Sequence, residues 1–388
     1  MSDKSKIVIS KVNDKYILCL INGNRLGNIY AYDDLNDEYV PGTIVNGRIE
    51  KNIESISSCF VRYGNKLTGF LNAQYKNETV VPVQYKKDPV GDKKALFTDS
   101  LSIEGKYVII FDSEPFVKVS SKINHGGHRR YKEKYEELAL RLHVGILIRS
   151  AAANVAVSDD MIEDEINNIV KVIDYIRSYS NTRPSCYVLY KPLPRIVKDC
   201  EDLLGGDVEE IVTDIQEVCD VLNSDYEGYF GRVKVTDRVG LRFYEDTMLP
   251  LSKLYAFESK IAESLSRIIH LKNGANITFD KTEALMAIDV NSASVKLRGD
   301  DIESSILNIN LAAADEIVRH IILRNISGII IIDFINMKSK QSYDSLAQRI
   351  NTLLERDVVK AEFMGFTKLG LAEISRQKMR GSFYEQMR

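Results

Sequence analysis

Residues 283–296 read EALMAIDVNSASVK, a nearly continuous apolar run that ends in the polar residues Asp289, Asn291 and Ser292. Further along the chain, residues 328–337 read GIIIIDFINM and repeat this arrangement, with Asp333 at the end of the run. Short apolar runs bounded by polar turn residues predict strands, here over 284–290 and 328–334. Because nearly every position is apolar, we expect both strands to be buried on both faces, in the middle of a sheet.

Two strands that each end in an aspartate predict a carboxylate pair. Ligand sites of open α/β sheets collect where strands end, and Mg²⁺ usually takes one or two carboxylates and keeps several waters. Asn291 lies on the same side of an extended chain as Asp289, where a neutral amide can hold a phosphate or a water. The alternative is that both aspartates are turn residues, because Asp ends many strands by forming Asx turns.

The composition describes a globular chain of more than one domain. Its 388 residues are 44% hydrophobic and 28% charged, and a single core does not extend over so long a chain. No apolar stretch is long enough to span a bilayer, so we expect no membrane span. The N-terminus lacks the apolar core of a secretory signal. Five scattered cysteines without a C-x-x-C pair indicate reduced thiols in a cytoplasmic protein.

The charge is nearly balanced but unevenly distributed. There are 52 Lys and Arg against 55 Asp and Glu, whereas residues 117–149 hold eight Lys and Arg against three Glu. Such a stretch is either a solvated helix face or a local phosphate-binding surface. The five histidines form no H-E-x-x-H or similar cluster, which disfavours a histidine-based metal site.

Hydrophobic periodicity divides the chain into three regions. Residues 1–33 alternate as two or three strands, and 40–118 continue as short strands punctuated by Gly and Asn, which predicts a small barrel of OB type. From about residue 120, strands and helices alternate, including a helix over 158–180 that Ser158 caps. The periodicity of the last region predicts a helix over 252–270. It also predicts helices over 301–324 and 340–356, one before and one after the strand that ends in Asp333. Asp300 and Glu303 fit a capping box for the first of these two helices.

Residues 282–337, TEALMAIDVNSASVKLRGDDIESSILNINLAAADEIVRHIILRNISGIIIIDFINM, closely resemble the catalytic segment of the ribonuclease E/G family. The likeness continues through FMGFTKLGLAEISRQKMR (363–380) and YEDTMLPLSKLYAFESKIAESL (244–265). It extends more weakly to GTIVNGRIEKNIESISSCFVRYGNKLTGFLNA (42–73), so that nearly the whole chain is covered. A run of this length with both Asp-terminated strands is far more specific than a short motif.

The resemblance implies an α+β multidomain fold. An RNase H-like domain built from residues 1–35 and 201–267 would contain two insertions, an S1-type OB barrel (36–117) and a 5′ sensor domain (118–200). A DNase I-like α/β catalytic domain (268–388) would follow.

The resemblance also implies roles for residues of the catalytic domain. Asp289 and Asp333 match the two magnesium-binding aspartates of the family, and Asn291 matches the asparagine that helps to orient the scissile phosphate. Mg²⁺ is therefore the expected cofactor. Many members read D-F-I-D-M where this chain has Asn336 in DFINM, a change that leaves both magnesium ligands in place.

Two further groups of residues are implied to contact RNA. Phe60 and Phe70 match barrel aromatics that pack against RNA, and Lys93 in VGDKKAL matches a phosphate-contacting lysine; the alternative is that the two aromatics belong to the barrel core. Arg149 and Ser150 match an Arg-Thr pair that binds a 5′-terminal monophosphate, for which a guanidinium and a hydroxyl are suitable donors. The alternative for Arg149 is a surface salt bridge. The following AAANVAV departs from the Gly-rich sequence of many members.

The implied function is a cytoplasmic, Mg²⁺-dependent endoribonuclease that cuts single-stranded RNA in RNA processing and decay. It would prefer a 5′-monophosphate end and leave 5′-phosphate and 3′-hydroxyl ends. Two alternatives remain: a non-catalytic RNA-binding protein of the same fold, and a metal-dependent phosphatase or DNA nuclease. The family usually carries a C-P-x-C zinc-link just beyond the SRQ segment, and this sequence reaches Arg388 without one. We therefore expect no stoichiometric zinc, and a homodimer weakened by the absence of the link.

Overall fold

The computed structural model describes residues 5–23, 25–89, 93–155, 157–204, 208–228, 231–246, 248–292, 302–355, 357, 359–378 and 380–387. The chain forms two compact units. The first unit contains the described parts of 1–35, 199–222 and 236–388, and the second contains 36–198 and 223–235. Within the described ranges, no helix is both long and apolar enough to cross a membrane.

The N-terminal third of the chain is built from strands. They are β1 (Ser5–Val12), β2 (Lys15–Asn22), β3 (Arg25–Tyr32), β4 (Ile44–Ile53), β5 (Ser58–Gly64), β6 (Leu67–Leu71), β7 (Val80–Lys87), β8 (Leu96–Thr98), β9 (Ser102–Glu104), β10 (Val108–Phe111) and β11 (Phe116–Val119).

The middle of the chain alternates helices and strands, as the periodicity predicts. The elements are α1 (His125–Leu142), β12 (Gly145–Ile148), α2 (Asp159–Tyr179), β13 (Val188–Tyr190), α3 (Arg195–Leu203), β14 (Val208–Thr213), α4 (Gln216–Asn223), β15 (Tyr226–Gly228), β16 (Gly231–Val233) and β17 (Gly240–Phe243). Ser158 caps α2, and its side chain accepts a hydrogen bond from the Met161 N–H at 3.3 Å.

The C-terminal part contains the two strands that carry Asp289 and Asp333. The elements are α5 (Leu251–Leu254), α6 (Phe257–Leu265), β18 (Ile268–His270), β19 (Asn276–Lys281), β20 (Leu285–Asn291), α7 (Ile302–Leu323), β21 (Gly328–Asp333), α8 (Lys340–Leu354), β22 (Ala361–Phe366), β23 (Ala372–Arg376) and α9 (Phe383–Gln386).

The prediction of one helix over 252–270 is wrong. Ala256 has a left-handed backbone with φ of 50°, which separates α5 from α6. Residues 268–270 then leave the helix because they pair with β19 as the edge strand β18. Sheet pairing therefore overrides the local helical pattern here.

Two sheets form the first unit. One has the order β17-β14-β1-β2-β3 and joins strands from two separated stretches of the chain. The other has the order β18-β19-β20-β21-β23-β22 and packs one face on a core that includes Ile317 and Ile321 of α7 and Ile350 of α8. The RNase H-like and DNase I-like assignments and the domain boundaries remain predictions.

The second unit contains a closed barrel, which confirms the expectation of an OB-type barrel. Strands β4, β5, β6, β8 and β7 pair in that order, and pairing of β4 with β7 closes the ring. Gly69 permits close packing inside the barrel, because a Cβ there would lie 2.5 Å from the Phe97 ring. A further sheet of the same unit has the order β11-β12-β10-β9 and packs on α1 and α2.

Candidate functional site

The two aspartates lie side by side at the carboxyl ends of β20 and β21, two inner strands of the second sheet of the first unit. Strands β20 and β21 are parallel neighbours, and their register runs from the pair Leu285–Ile329 to the pair Asp289–Asp333. Neighbouring strands are about 4.8 Å apart, so residues in register hold their side chains next to each other on one face. Both aspartates are exposed. The structure therefore brings together the carboxylates that the sequence predicts as a pair.

The burial pattern of β20 and β21 corrects the expectation that both faces are covered. Ile288, Val290, Ile330 and Ile332 are buried in the core that includes α7 and α8. On the opposite face Ile329 is 56% exposed, and the two aspartates share this face. The apolar runs thus belong to a sheet whose helices cover one face, and the aspartates occupy the accessible one.

Asn291 extends the pair along β20. It lies two residues beyond Asp289, on the same face of the strand. Its side-chain amide donates a hydrogen bond to Oδ2 of Asp289, which fixes the orientation of both groups. Because Asn291 remains exposed, its amide oxygen and second N–H are available to a bound molecule. The three residues predicted as catalytic therefore form one cluster.

A buried asparagine holds the segment that follows Asp333. Asn310 of α7 is fully buried, and its Nδ2 donates to the Ile335 carbonyl at 2.7 Å while its Oδ1 accepts from the Ile335 N–H at 3.1 Å. Sequence reasoning missed this residue, although a polar side chain within the apolar face of LNINLAAA was the available signal.

The predicted capping box of Asp300 and Glu303 is not tested, but Glu303 makes a different contact within the described residues. The Glu303 carboxylate accepts hydrogen bonds from the N–H groups of Lys338 and Ser339, at 3.1 and 2.9 Å, so it fixes the main chain just before α8. These backbone donors, Ser339 first and then Lys338, lower the pKa of Glu303. Asp300 lies outside the described residues. Glu303 and Asn310 together fix both ends of the segment between Asp333 and α8.

The carboxylate pair fits a hard divalent cation. Like charges directly opposite each other on neighbouring strands destabilise a sheet, and a bound cation would offset that repulsion. Within the described ranges, His, Cys, Asp and Glu form no group of three or more that could hold a metal. Two carboxylates suit Mg²⁺, which takes one or two of them and keeps several waters, better than Zn²⁺, which prefers Cys and His.

Phe60 and Phe70 lie on the outside of the barrel. They pair across β5 and β6 with ring centroids 6.3 Å apart and an interplanar angle of 74°, and both are partly exposed. The aromatic residues of the barrel core are instead Tyr63, Tyr85 and Phe97. The alternative that these two phenylalanines form the core is therefore wrong, and both rings are accessible to a ligand.

A lysine that sequence reasoning missed completes this aromatic patch. The predicted phosphate-contacting Lys93 is exposed. Its neighbour Lys94 places Nζ 5.6 Å from the centroid of the Phe60 ring and also donates a hydrogen bond to Thr68. A cation close to an exposed aromatic ring next to a second ring suits a nucleic-acid strand, because bases stack on rings and phosphates bind cations.

Arg149 and Ser150 follow β12 directly. The Arg149 N–H donates to the Tyr107 carbonyl at 2.8 Å, and its guanidinium Nη1 donates to the Gly105 carbonyl. Both acceptors are backbone carbonyls, whereas a salt bridge would need a carboxylate. These contacts therefore do not support the alternative of a surface salt bridge. Ser150 is exposed at the start of a short 3₁₀ turn (Ser150–Ala153).

Comparison with known proteins places the chain in a family. The model of the Ribonuclease E/G family matches residues 102–379, which is more than half of the chain. The chain therefore belongs to the Ribonuclease E/G family, as the resemblance implied.

Curated relatives align over nearly the whole chain. Ribonuclease E of Escherichia coli is 28% identical over 98% of this chain, and Ribonuclease G of the same species is 26% identical over 97% of it. Ribonuclease E of Synechocystis is 26% identical over 89% of the chain. The chain spans 37% of Escherichia coli Ribonuclease E, 53% of the Synechocystis protein and 81% of Ribonuclease G.

Proposed function

We propose that the chain is an endoribonuclease that hydrolyses single-stranded RNA with Mg²⁺ in RNA processing and decay. The observation that carries this proposal is the in-register pair of exposed aspartates on β20 and β21, with the Asn291 amide bonded to one of them. Family membership supports it, because the relatives of this chain are named as ribonucleases. All five cysteines are free thiols, which supports a cytoplasmic location.

Each residue at the carboxyl ends of β20 and β21 would have a separate role in the reaction. Asp289 and Asp333 would hold Mg²⁺, which when bound neutralises phosphate charge and lowers the pKa of an attacking water. The amide of Asn291 remains neutral, so it can donate to a phosphate oxygen without competing for the cation. Asn310 and Glu303 keep the main chain after Asp333 in one conformation, which preorganises the carboxylate pair. Attack of water on phosphorus, with cleavage of the P–O3′ bond and protonation of the departing 3′-oxygen, would leave 5′-phosphate and 3′-hydroxyl ends.

The exposed aromatic patch supports RNA as the substrate. The patch consists of Phe60, Phe70 and Lys94, in which the rings provide stacking surfaces and the lysine provides positive charge. Lys93, the exposed neighbour of Lys94 in sequence, would contact phosphate. Such a surface binds single strands with little dependence on base identity. Arg149 and Ser150 would bind the phosphate of a 5′-monophosphate end, because a guanidinium retains donors beyond the one bonded to Gly105.

The direct test is cleavage of a 5′-monophosphorylated single-stranded RNA by the purified chain. We expect internal cleavage with Mg²⁺, none with EDTA, and faster cleavage than of the same RNA with a 5′-hydroxyl. Mapping of the product ends should show 5′-phosphates. Binding of RNA without cleavage would favour a non-catalytic RNA-binding protein. Equal or faster cleavage of a DNA oligonucleotide of the same sequence would favour a DNA nuclease.

A further inference from the structure

The turn from Gly105 to Val108 encloses the side chain of a buried glutamate. One carboxylate oxygen of Glu165, on α2, accepts a hydrogen bond from the Lys106 N–H at 2.6 Å. The other accepts from the N–H groups of Tyr107 and Val108, at 2.7 and 3.0 Å. Three successive backbone N–H groups that converge on one anion form the type of concavity called a nest. Here the chain's own carboxylate occupies the nest.

This arrangement fixes the position of Glu165 and of the turn. Glu165 is 6% exposed and lies among Ile162, Ile166 and Ile169 of the same helix, which are fully buried. Burial raises its pKa, while the three backbone hydrogen bonds and the charge of Arg149 act in the opposite direction. A buried carboxylate is tolerated only when its oxygens are hydrogen-bonded, so the turn and the side chain stabilise each other.

Gly105 joins the nest to the proposed phosphate site. A Cβ at Gly105 would lie 2.5 Å from the carboxylate carbon of Glu165, so a larger residue would displace one of them. The Gly105 carbonyl accepts from the guanidinium of Arg149, and the Tyr107 carbonyl accepts from the Arg149 main-chain N–H. Both the backbone and the side chain of Arg149 are therefore bonded to the turn that Glu165 holds.

We propose that Glu165 is a positioning residue for the 5′-phosphate site, an inference that rests on the proposed role of Arg149. The carboxylate holds the turn, the turn holds one edge of the Arg149 guanidinium, and the remaining N–H groups of Arg149 are left to bind a terminal phosphate. Glu165 itself does not contact the phosphate. The 5′-end preference of the enzyme then depends on a side chain buried behind the site.

The test is the Glu165→Gln variant. A glutamine amide has a similar shape, but its NH₂ group would face backbone donors that need an acceptor. The measured quantity is the ratio of cleavage rates for 5′-monophosphorylated and 5′-hydroxyl RNA. We expect this ratio to fall about tenfold or to approach one, as on loss of a hydrogen bond to a charged group. Cleavage of a circular RNA, which has no 5′ end, should remain unchanged.

Three further variants make the result decisive. Arg149→Ala should lose the same preference, and Gly105→Ala should reproduce the effect of Glu165→Gln from the other side of the contact. Glu163→Gln, a matched control, changes a glutamate of the same helix that pairs with Lys134 at 3.1 Å, and should retain the preference. Circular-RNA cleavage reports whether each variant is folded.

The outcomes separate the inference from the proposed function. If Arg149→Ala loses the preference while Glu165→Gln and Gly105→Ala keep it, the inference is wrong and the site stands. If Glu165→Gln and Gly105→Ala lower the rate of circular-RNA cleavage by the same factor as the rate on 5′-monophosphorylated RNA, the two residues serve general stability. The inference is then also wrong. If the wild-type chain shows no 5′-end preference, the sensor function fails and the inference fails with it.

Discussion

Single side chains determine what can bind at the carboxyl ends of β20 and β21. Asp289 and Asp333 are neighbours because β20 and β21 are parallel and in register. They are accessible because the alternate residues Ile288 and Ile332 take the buried face. Asn310 contributes from behind the site, since its amide pairs with both main-chain polar groups of Ile335, two residues beyond Asp333.

Asn310→Ala should lower the turnover number more than the affinity for RNA. The substitution removes both hydrogen bonds to Ile335, and unpaired polar groups cost about 1–3 kcal/mol each when buried. The segment after Asp333 would then lose its fixed conformation. Steady-state cleavage together with equilibrium RNA binding checks this prediction. Asn351→Ala, which changes an exposed asparagine on α8, is the matched control, and an equal effect of both variants would contradict a positioning role for Asn310.

His320 of α7 should make the stability of the chain depend on pH. Its side chain is 2% exposed, its Nδ1 accepts from Arg324 Nε at 3.1 Å, and Arg319 lies 2.7 Å from its Nε2. The Glu316 carboxylate, one turn earlier on the same helix, is 4.0 Å from Nε2. Burial, followed by the charges of Arg319 and Arg324, lowers the pKa of His320 to about 2.

The sign of the pH effect follows from proton binding. The unfolded chain protonates His320 below its ordinary pKa of 6.5, whereas the folded chain keeps it neutral down to about pH 2. The unfolded state therefore binds more protons in this interval, and stability falls as pH falls, by up to about 1.4 kcal/mol per pH unit from this group. Unfolding midpoints between pH 7.5 and 5 should decrease more steeply for wild type than for His320→Gln. Parallel curves would contradict the prediction.

At the scale of strands and helices, the barrel exposes two aromatic rings that are not part of its hydrophobic core. Phe60 and Phe70 face outwards on β5 and β6, while Tyr63 and Phe97 fill the interior. Alternation along a strand produces this separation, because successive side chains point to opposite faces. The outer rings are thus available to bases without any cost to barrel packing.

Phe60→Ala and Phe70→Ala should each weaken binding of single-stranded RNA. Loss of one stacking surface costs about 1–3 kcal/mol, which is about five- to 150-fold in Kd. Tyr179→Ala is the matched control, because Tyr179 is an exposed aromatic on α2. Fluorescence anisotropy with a labelled oligonucleotide measures the effect. Unchanged Kd values for both phenylalanine variants would exclude the patch from RNA binding.

The elements show which features could be predicted from the sequence. The apolar runs of β20 and β21 each lead to an aspartate, and this local signal predicts a carboxylate pair but fits two Asx turns equally well. The resemblance to the family was needed to favour the metal site. Their one-sided burial could not be predicted, since Ile329 is as apolar as Ile330 and only the packing of α7 and α8 distinguishes them. The break at Ala256 and the roles of Glu165, Lys94 and Asn310 likewise depend on contacts between residues far apart in sequence.

At the scale of the whole chain, the two units carry different parts of the proposed activity. The first unit holds the carboxylate pair, and the second holds the exposed aromatic patch and Arg149. The chain covers 37% of one ribonuclease E relative and 81% of a ribonuclease G relative.

The 388-residue chain should bind no stoichiometric zinc. Cys19, Cys59, Cys200 and Cys219 are buried, Cys186 is partly exposed, and the described residues contain no cluster of three metal-binding side chains. A homodimer would then depend on packing alone and should dissociate on dilution. Metal analysis after dialysis and light scattering over a concentration series check both points. One zinc ion per two chains in a dimer resistant to dilution would contradict them.

The carboxylate pair is tested most directly by cleavage assays on Asp289→Asn and Asp333→Asn. Each substitution keeps the shape of the side chain but removes a charged ligand, so we expect both variants to lose most cleavage at limiting Mg²⁺ while RNA binding is largely retained. Asp280→Asn is the matched control, because Asp280 is exposed on the same face of neighbouring β19 and forms an ion pair with Arg267; it should cleave like wild type. Cleavage at the wild-type rate by both Asp289→Asn and Asp333→Asn would contradict a catalytic metal site at the carboxyl ends of β20 and β21.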